Sequence, residues 1–330
     1  MALWYHRDYA PDELRTAQRP KLPFDRVDRC VGLLARDGLL RRGDLHPAPL
    51  AAFGELEAAH SRAYLETVAE PETLGRIFGL PPEEVAVDAL LATQRRGVGG
   101  TLAAARAAAR GERAVGFNLG GGFCVFNDVA VAVGVLRREG FADPVAVVDL
   151  DFHQGNGTAA AFAADPSVLL FSIQGSTWSH LDLPHNVEVT LPAGTGDEAY
   201  LEALQRTLPP LLDRHRPRLV FYVAGNDVLA GDPLGGFALS LDGLFERDRR
   251  VVEWVRRRRA GMVVVMGGGY GPDAWRGSAR FLRWLLAGST APVESEPPDA
   301  GARFQAVARG LGPTSLSLSE AEIMGQLTGY

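Results

Sequence analysis

The 330-residue chain has little cysteine: only Cys30 and Cys124, far apart in sequence. A disulfide framework or a zinc ribbon needs more cysteines than this, so we expect two thiols in a cytoplasmic protein. The sequence also lacks any uninterrupted apolar run of about 18 residues, and its N-terminus lacks the apolar stretch of a signal peptide. We therefore expect no membrane span.

The chain has no excess of basic residues. It contains 34 Lys and Arg against 40 Asp and Glu, which gives a net charge of −6. A nucleic-acid-binding protein usually carries a basic footprint, so nucleic acid is not expected as a partner. The four consecutive arginines at 256–259 are interpreted as a solvated helix face, with a basic binding patch as the alternative.

The pattern of apolar residues changes near residue 114. Residues 1–113 are predicted to be mainly helical, with the best helical patterns at Val31–Leu40, Leu56–Val68 and Thr93–Arg110. Beyond them, short Val-rich runs predict buried parallel strands at Val145–Val148, Val168–Ile173, Leu219–Ala224 and Met262–Met266. Helical patterns at Asp197–Arg214 and Leu241–Arg258 lie between strands, which predicts one α/β parallel sheet with helices on both faces. Residues 292–330 are predicted to form a loop-like tail and a last helix, which is capped by Ser319 and Glu322.

Polar clusters follow three of the predicted strands. They read DLDFHQGNGT at 149–158, GNDVLAGDPLGG at 225–236 and GGGYGPD at 267–273. Ligands of open α/β sheets bind beyond the carboxyl ends of the strands, so these clusters are expected to converge on one rim.

The first cluster has the spacing of a metal site. Asp149, Asp151 and His153 alternate, so an extended backbone points them to one side. Asp227 adds an acid at another strand end. Asp151, His153 and Asp227 would form a three-ligand set with an open position, as in catalytic zinc sites. Fe²⁺ and Mn²⁺ also accept such oxygen-rich ligation. The alternative is a metal-free, hydrogen-bonded Asp–His–Asp cluster.

Two further residues support this interpretation. Asp149 is expected to hydrogen-bond to the ligands and balance charge around them. Tyr270 follows three glycines and could donate a hydrogen bond to an oxyanion that forms on a carbonyl. The alternative for Tyr270 is an aromatic side chain packed at a turn.

Four motifs together resemble a known family. DLDFHQGNGT, AGNDVLAGDPLGG, GGGYGPDAW and GFCVFNDVAVAV are similar to the zinc-dependent histone deacetylases, in their bacterial and class IV branch. The order Asp-x-Asp-x-His differs from the Asp-x-His-x-Asp order of the arginases, which share the fold. The resemblance implies one domain of the arginase–deacetylase fold over residues 1–330. It also implies zinc on Asp151, His153 and Asp227, with Tyr270 as the carbonyl polariser.

The resemblance also implies two binding features. Gly122, Phe123 and Leu234 would line an acyl-lysine-type tunnel. A potassium ion would be held around Asp149, Asp151, His153 and Ser172.

One family feature is missing from the sequence. The family carries two adjacent histidines, a general base and a general acid, between NLGGG and GFC; here NLGGGFCVFND joins the two directly at 118–128. Asp149 and Asn156, which would orient those histidines, remain. Gln174 stands where the family often has histidine. The following loop carries His180 and His185, which are candidate substitute bases.

Two functional hypotheses follow from these features. The first is a zinc-dependent deacylase that acts on acyl-lysine, acyl-polyamine or another acyl-amine. Its base would be His180 or His185, or the metal would act without a protein base. The second is a metal-binding pseudoenzyme that binds an acylated ligand or partner without turnover.

Overall fold

The computed structural model describes residues 1–9, 25–112, 114–120, 125–179, 181–294 and 307. Eight strands form a single sheet: β1 (Ala2–Tyr5), β2 (Leu45–Pro47), β3 (Val115–Asn118), β4 (Val145–Asp149), β5 (Val168–Gln174), β6 (Asn186–Thr190), β7 (Leu219–Val223) and β8 (Gly261–Val265). Their order across the sheet is β2-β1-β3-β8-β7-β4-β5-β6. All neighbouring pairs are parallel, as the sequence predicts.

The helices lie on both faces of this sheet. They are α1 (Arg26–Arg36), α2 (Phe53–Leu56), α3 (Arg62–Thr67), α4 (Pro71–Phe78), α5 (Val87–Ala109), α6 (Asp128–Arg138), α7 (Asn156–Ala161), α8 (Asp197–His215), α9 (Leu241–Arg257) and α10 (Ala274–Ala287), with 3₁₀ turns at Arg7–Tyr9, Arg42–Asp44 and Pro82–Glu84. In the described part of the chain, no helix combines the length and apolarity needed to cross a membrane.

Successive residues of the central strands contribute to two different cores. Ala146 and Val148 of β4 lie in a core with residues of α1, α8, α9 and α10. Val145 and Val147 of the same strand lie in a second core with residues of α5 and α6. Side chains alternate between the faces of a strand, so a strand covered on both sides needs the continuous apolar runs seen in the sequence.

The structure differs from the sequence predictions at several places. The N-terminal part contains two strands, β1 and β2, that the helical pattern does not reveal, because each has at most four residues. The predicted helix Leu56–Val68 is helical only from Arg62 to Thr67, because α2 ends at Leu56; the hydroxyl of Ser61 caps α3 by accepting from the amide of Tyr64 at 3.2 Å. The predicted helix at Ser319 lies outside the described residues.

The topology brings the polar clusters together. In the sheet order, β4 and β7 are neighbours, and β8 lies on the other side of β7. The register pairs Asp149 with Val223, and Val223 with Val265, so these three strands end at one level. The segments that follow β4, β7 and β8 therefore meet at one rim.

Candidate active site

Asp151, His153 and Asp227 form a compact cluster at this rim. The Nδ1 atom of His153 lies 3.1 Å from Oδ1 of Asp151 and 2.9 Å from Oδ2 of Asp227. One potential ligand atom from each of the three residues lies within 4.8 Å of the others. Asp227 is completely buried, whereas the side chain of His153 is 30% exposed. Solvent can therefore reach the cluster from the side of the His153 imidazole, whereas Asp227 lies on the side that is closed to solvent.

Backbone amides hold both carboxylates in place. Asp151 accepts hydrogen bonds from the amide of His153 at 3.0 Å and of Gly268 at 2.5 Å. Asp227 accepts one from the amide of Phe152 at 3.0 Å. The ligand loops after β4 and β7 thus bind each other as well as the loop after β8.

Electrostatics favour a positive charge inside the cluster. Hydrogen bonds to Asp151 and Asp227 raise the pKa of His153 to about 10. Burial and the charge of Asp151 raise the pKa of Asp227 to about 7. Burial would also raise the pKa of Asp151, but its hydrogen bonds with His153 and others bring it below the ordinary value. Without a metal, a proton on His153 supplies the positive charge.

The residues present fit a zinc ion. Two atoms bound to one zinc at about 2.0–2.2 Å in tetrahedral directions lie roughly 3.3–3.6 Å apart. The two nitrogen–oxygen separations of 2.9 and 3.1 Å in the cluster need to widen only slightly to reach this range. Gly268 leaves space for the two carboxylates, because a Cβ at that position would lie 2.9 Å from Oδ2 of Asp151 and would overlap Asp227.

Tyr270 stands beside the cluster. Its ring meets the ring of His153 edge to face, with centroids 6.4 Å apart. Burial, followed by the charges of Asp151 and Asp227, raises the pKa of Tyr270 above its ordinary value. The phenol therefore remains protonated at neutral pH and can donate a hydrogen bond.

Asp232, which the sequence interpretation did not single out, fixes the loop of Tyr270. Its Oδ2 accepts from the amides of Tyr270 at 2.7 Å and Gly271 at 2.9 Å. Its Oδ1 accepts from the amides of Leu234 at 3.0 Å and Gly235 at 3.1 Å. One carboxylate thus joins the loop after β7 to the loop after β8. The sequence contained a signal for this role, because Asp232 lies inside the AGNDVLAGDPLGG motif.

Arg26 also binds the glycine-rich loop after β8. Its Nη1 donates to the carbonyl of Gly268 at 2.7 Å, and its Nη2 donates to that of Gly267 at 2.8 Å. Gly269 has a φ of +134°, a backbone conformation that residues other than glycine rarely adopt. The loop that carries Tyr270 is therefore fixed from two sides, by Arg26 and by Asp232.

Two exposed apolar side chains, on the loops after β5 and β7, form what we call the apolar rim. Leu234 is 51% exposed, and Trp178 is 64% exposed. The ring centroid of Trp178 lies 5.9 Å from that of His153. Gln154 holds this loop, because its Oε1 accepts from the amide of Trp178 at 2.7 Å. Sequence reasoning missed Trp178, since only the fold shows that its loop returns to His153.

Two predicted tunnel residues, Gly122 and Phe123, lie outside the described residues, and so does His180. His185 lies elsewhere in the structure. Its Nε2 is 3.0 Å from the carbonyl of Phe162, and it lines a cavity of about 590 Å³ with Leu169 and His215. This cavity is near the amino ends of β4 and β5, because His215 contacts the carbonyl of Val145 at 2.8 Å. The structure therefore does not bring His185 to the cluster.

The remaining predicted residues have different surroundings. Asp149 accepts from the amide of Asp151 at 3.1 Å and pairs with Ser172 across β4 and β5. Both Asp149 and Ser172 line a cavity of about 20 Å³. Asn156 is exposed at the start of α7. Gln174 is buried and accepts from the hydroxyl of Ser172 at 3.1 Å.

Comparisons with known proteins agree with this architecture. Residues 21–284 match the family model of the histone deacetylase domain. The chain is 33% identical over 287 residues to an uncharacterized protein of Picosynechococcus sp., and the matched region covers 81% of this chain and 91% of that protein. It is 30% identical to histone deacetylase 2 of Arabidopsis thaliana, over 79% of this chain and 71% of the relative.

A bacterial relative and a solved structure add to this result. The histone deacetylase-like amidohydrolase of Pseudomonas aeruginosa is 31% identical over 73% of this chain and 70% of its own length. The crystal structure of acetylpolyamine aminohydrolase from Burkholderia pseudomallei matches with a TM-score of 0.68 at 22% identity, and covers 87% of this chain and 99% of that one. The latter confirms the predicted fold class. Because the family model covers well over half of its length, the chain belongs to the histone deacetylase family, which assigns it to the hydrolases.

Proposed function

We propose that this protein is a zinc-dependent deacylase that hydrolyses the amide of an acyl-lysine or of a small acylated amine. The observation that carries the proposal is the Asp151–His153–Asp227 cluster with the protonated phenol of Tyr270 beside it. A metal-free structural cluster would not need the open imidazole side or an adjacent hydrogen-bond donor. Family membership supports the same reaction class.

Asp151, His153 and Asp227 would hold the ion. When bound, zinc supplies Lewis acidity, which polarises a carbonyl group and acidifies water. Tyr270 would donate its phenolic proton in a hydrogen bond to the amide oxygen as negative charge develops there. Asp232 keeps Tyr270 in place through the backbone, and Asp149 holds the amide of Asp151.

The apolar rim indicates how the substrate is held. Trp178 and Leu234 would contact the aliphatic part of an acylated amine and exclude water from the amide. This surface suits the methylene chain of lysine and that of a polyamine equally. We therefore propose the shared chemistry, an acyl group on a primary amine with an alkyl chain.

The missing histidine pair limits the expected rate. A positioned acid–base group contributes roughly 10²–10⁴-fold. Among the described residues, His153 is the one imidazole in the cluster, and its Nδ1 faces the two carboxylates. We therefore expect slow turnover, with zinc and Tyr270 as the main contributors to the rate.

The test combines metal content with activity. Elemental analysis of the purified protein should give about one zinc per chain, and Asp227→Ala should lose it. Acetyl-lysine peptides and acetylpolyamines should be hydrolysed faster by the wild type than by Asp227→Ala. Asp213→Ala is the matched control, because Asp213 is a 68% exposed carboxylate on α8 that pairs with Arg258. Zinc in Asp227→Ala at the wild-type level would refute the site.

A second candidate function has one observation in its favour. The two sequence motifs that flank the family's histidine pair are joined directly at 118–128, so the chain could bind an acylated ligand without hydrolysing it. In that case, zinc would be present and an acetyl-lysine peptide would bind, but hydrolysis would not exceed the Asp227→Ala rate. His185→Ala should leave turnover unchanged, because His185 contacts the carbonyl of Phe162 near the amino ends of β4 and β5, away from the cluster.

We also propose that a potassium ion binds around Asp149, Asp151, His153 and Ser172. Support comes from the small cavity beside Asp149 and Ser172, which is large enough for one water-sized species. Burial, followed by the charge of Asp151, raises the pKa of Asp149 well above its ordinary value, and a cation would favour its ionised form. Replacing potassium with tetramethylammonium should lower the melting temperature of the wild type more than that of Ser172→Ala.

A further inference from the structure

A buried arginine lies beneath the two loops that carry the candidate metal ligands. Arg247 belongs to α9 and is 0% exposed. Its Nη1 donates to the carbonyl of Leu150 at 3.0 Å and to that of Gly225 at 2.7 Å. Leu150 directly precedes Asp151, and Gly225 lies two residues before Asp227. One nitrogen atom therefore contacts both ligand loops.

The two loops lie just beyond the ends of their strands, where the amide of Leu150 donates to the carbonyl of Val223 at 3.1 Å and the amide of Phe152 donates to Asp227 at 3.0 Å. β4 ends at Asp149 and β7 ends at Val223. The loops touch, since a Cβ on Gly225 would lie 2.6 Å from the Cα of Asp151. The two N–H groups of Nη1 point in directions fixed by the planar guanidinium. They therefore define how far apart the two carbonyl groups can lie.

The guanidinium itself is held rigidly. Its Nε and Nη2 donate to Oδ1 of Asp248 at 2.9 and 2.8 Å. The hydroxyl of Tyr222 on β7 donates to the same oxygen at 2.5 Å. A buried charge is tolerated only when it is paired and hydrogen-bonded, and these partners meet that condition. The position of Arg247 is thus fixed with respect to the sheet.

We propose that Arg247 is a positioning residue of the metal site, which sets the separation of the Asp151 and Asp227 carboxylates by holding their loops to one nitrogen. The inference rests on the proposed function, because it assumes that the Asp151–His153–Asp227 cluster binds zinc. Partners that orient metal ligands typically change metal affinity by about 10–100-fold when they are replaced. Arg247 differs from them in acting on the backbone of two ligand loops at once.

The test measures zinc affinity without any substrate. Arg247→Met removes the charge and the N–H groups, whereas Arg247→Lys keeps the charge but loses the planar fork. Arg280→Met is the matched control: Arg280 is a buried arginine of α10, 8% exposed, that contacts Asp242 at 2.6 Å and the carbonyl of Thr290 at 3.1 Å. Zinc dissociation constants come from competition with a chromophoric chelator, and thermal unfolding of each metal-free variant reports stability.

We expect Arg247→Met and Arg247→Lys to weaken zinc binding by about 10–100-fold. Arg280→Met should lose stability but keep its zinc dissociation constant within about threefold of wild type. Folded Arg247 variants with wild-type affinity would overturn the inference, as would an equal loss in Arg280→Met. If neither Arg247 variant folds, Asp248→Asn decides: at least about threefold weaker zinc binding supports the inference, and an unchanged constant overturns it.

Asp151→Ala separates this inference from the proposed function. If that variant binds zinc like the wild type, the proposed site is wrong. If it loses zinc while the Arg247 variants keep it, the site stands and only the role of Arg247 falls.

Discussion

Replacing Asp232 with asparagine should slow deacylation by displacing Tyr270, although Asp232 itself need not touch the substrate. The carboxylate accepts four backbone hydrogen bonds, two of them from the loop of Tyr270. Asparagine keeps one acceptor oxygen and presents an NH₂ group to the other pair of amides. Two of the four bonds are therefore lost.

The size of the effect follows from these contacts. A hydrogen bond to a charged group is worth about 1.5–3 kcal/mol when buried. Asp232 is only half-buried, so solvent reduces the loss for the two bonds together to about 1–3 kcal/mol of unfolding free energy. A misplacement of about 1 Å at a reacting group can cost about 10²-fold in rate. We expect kcat to fall by about 10- to 100-fold.

The assay is a double-mutant cycle on the deacylation rate. If Asp232 acts through Tyr270, the variant Asp232→Asn/Tyr270→Phe should be no slower than Tyr270→Phe alone. Asp273→Asn is the control, because Asp273 lies in the same segment but pairs with Arg276 at the surface. A wild-type kcat in Asp232→Asn, or a double variant whose loss is the product of the single losses, would refute the reasoning.

Four further predictions concern the cluster and its rim. Tyr270→Phe should lower kcat by about 10²–10³-fold, as for the loss of an oxyanion donor, while elemental analysis shows unchanged zinc; loss of zinc would contradict the assigned role. Trp178→Ala should raise KM about 5- to 30-fold, which corresponds to about 1–2 kcal/mol of apolar contact, with little change in kcat, whereas Trp178→Phe should stay closer to wild type. Zinc binding should release protons, because the pKa of His153 is raised to about 10 in the metal-free protein. For the same reason, metal-free protein should lose stability as the pH rises from about 6.5 towards 10. Calorimetry in buffers of different ionisation enthalpy measures proton release and should give about one or more protons per zinc at pH 7. Denaturant titrations at several pH values measure the stability of the metal-free protein. If zinc binding released no proton, the assignment of His153 as a ligand would be contradicted.

The sequence predicts the centre of this molecule better than its edges. β4, β5, β7 and β8 are covered on both faces, and that environment demands the Val-rich runs that make them recognisable. Strands β1 and β2 are too short to show a periodic pattern.

The candidate site shows the same division. Asp151 and His153 are predicted by their spacing, and Asp227 by its place after another predicted strand. Arg247 could not be predicted, because its role depends on where α9 packs against the loop carbonyls. The direction of the loop after β5 was equally hidden, since a hydrogen bond from the amide of Trp178 to Gln154 determines it.

The exposed indole next to the imidazole has a spectroscopic consequence. Trp4, Trp254 and Trp275 are buried, whereas Trp178 is 64% exposed and lies beside His153. Its emission should therefore be red-shifted from theirs and sensitive to the charge on the neighbouring ring. Binding of an ion at the cluster should therefore change the fluorescence of Trp178, which would report occupancy in solution without any added label.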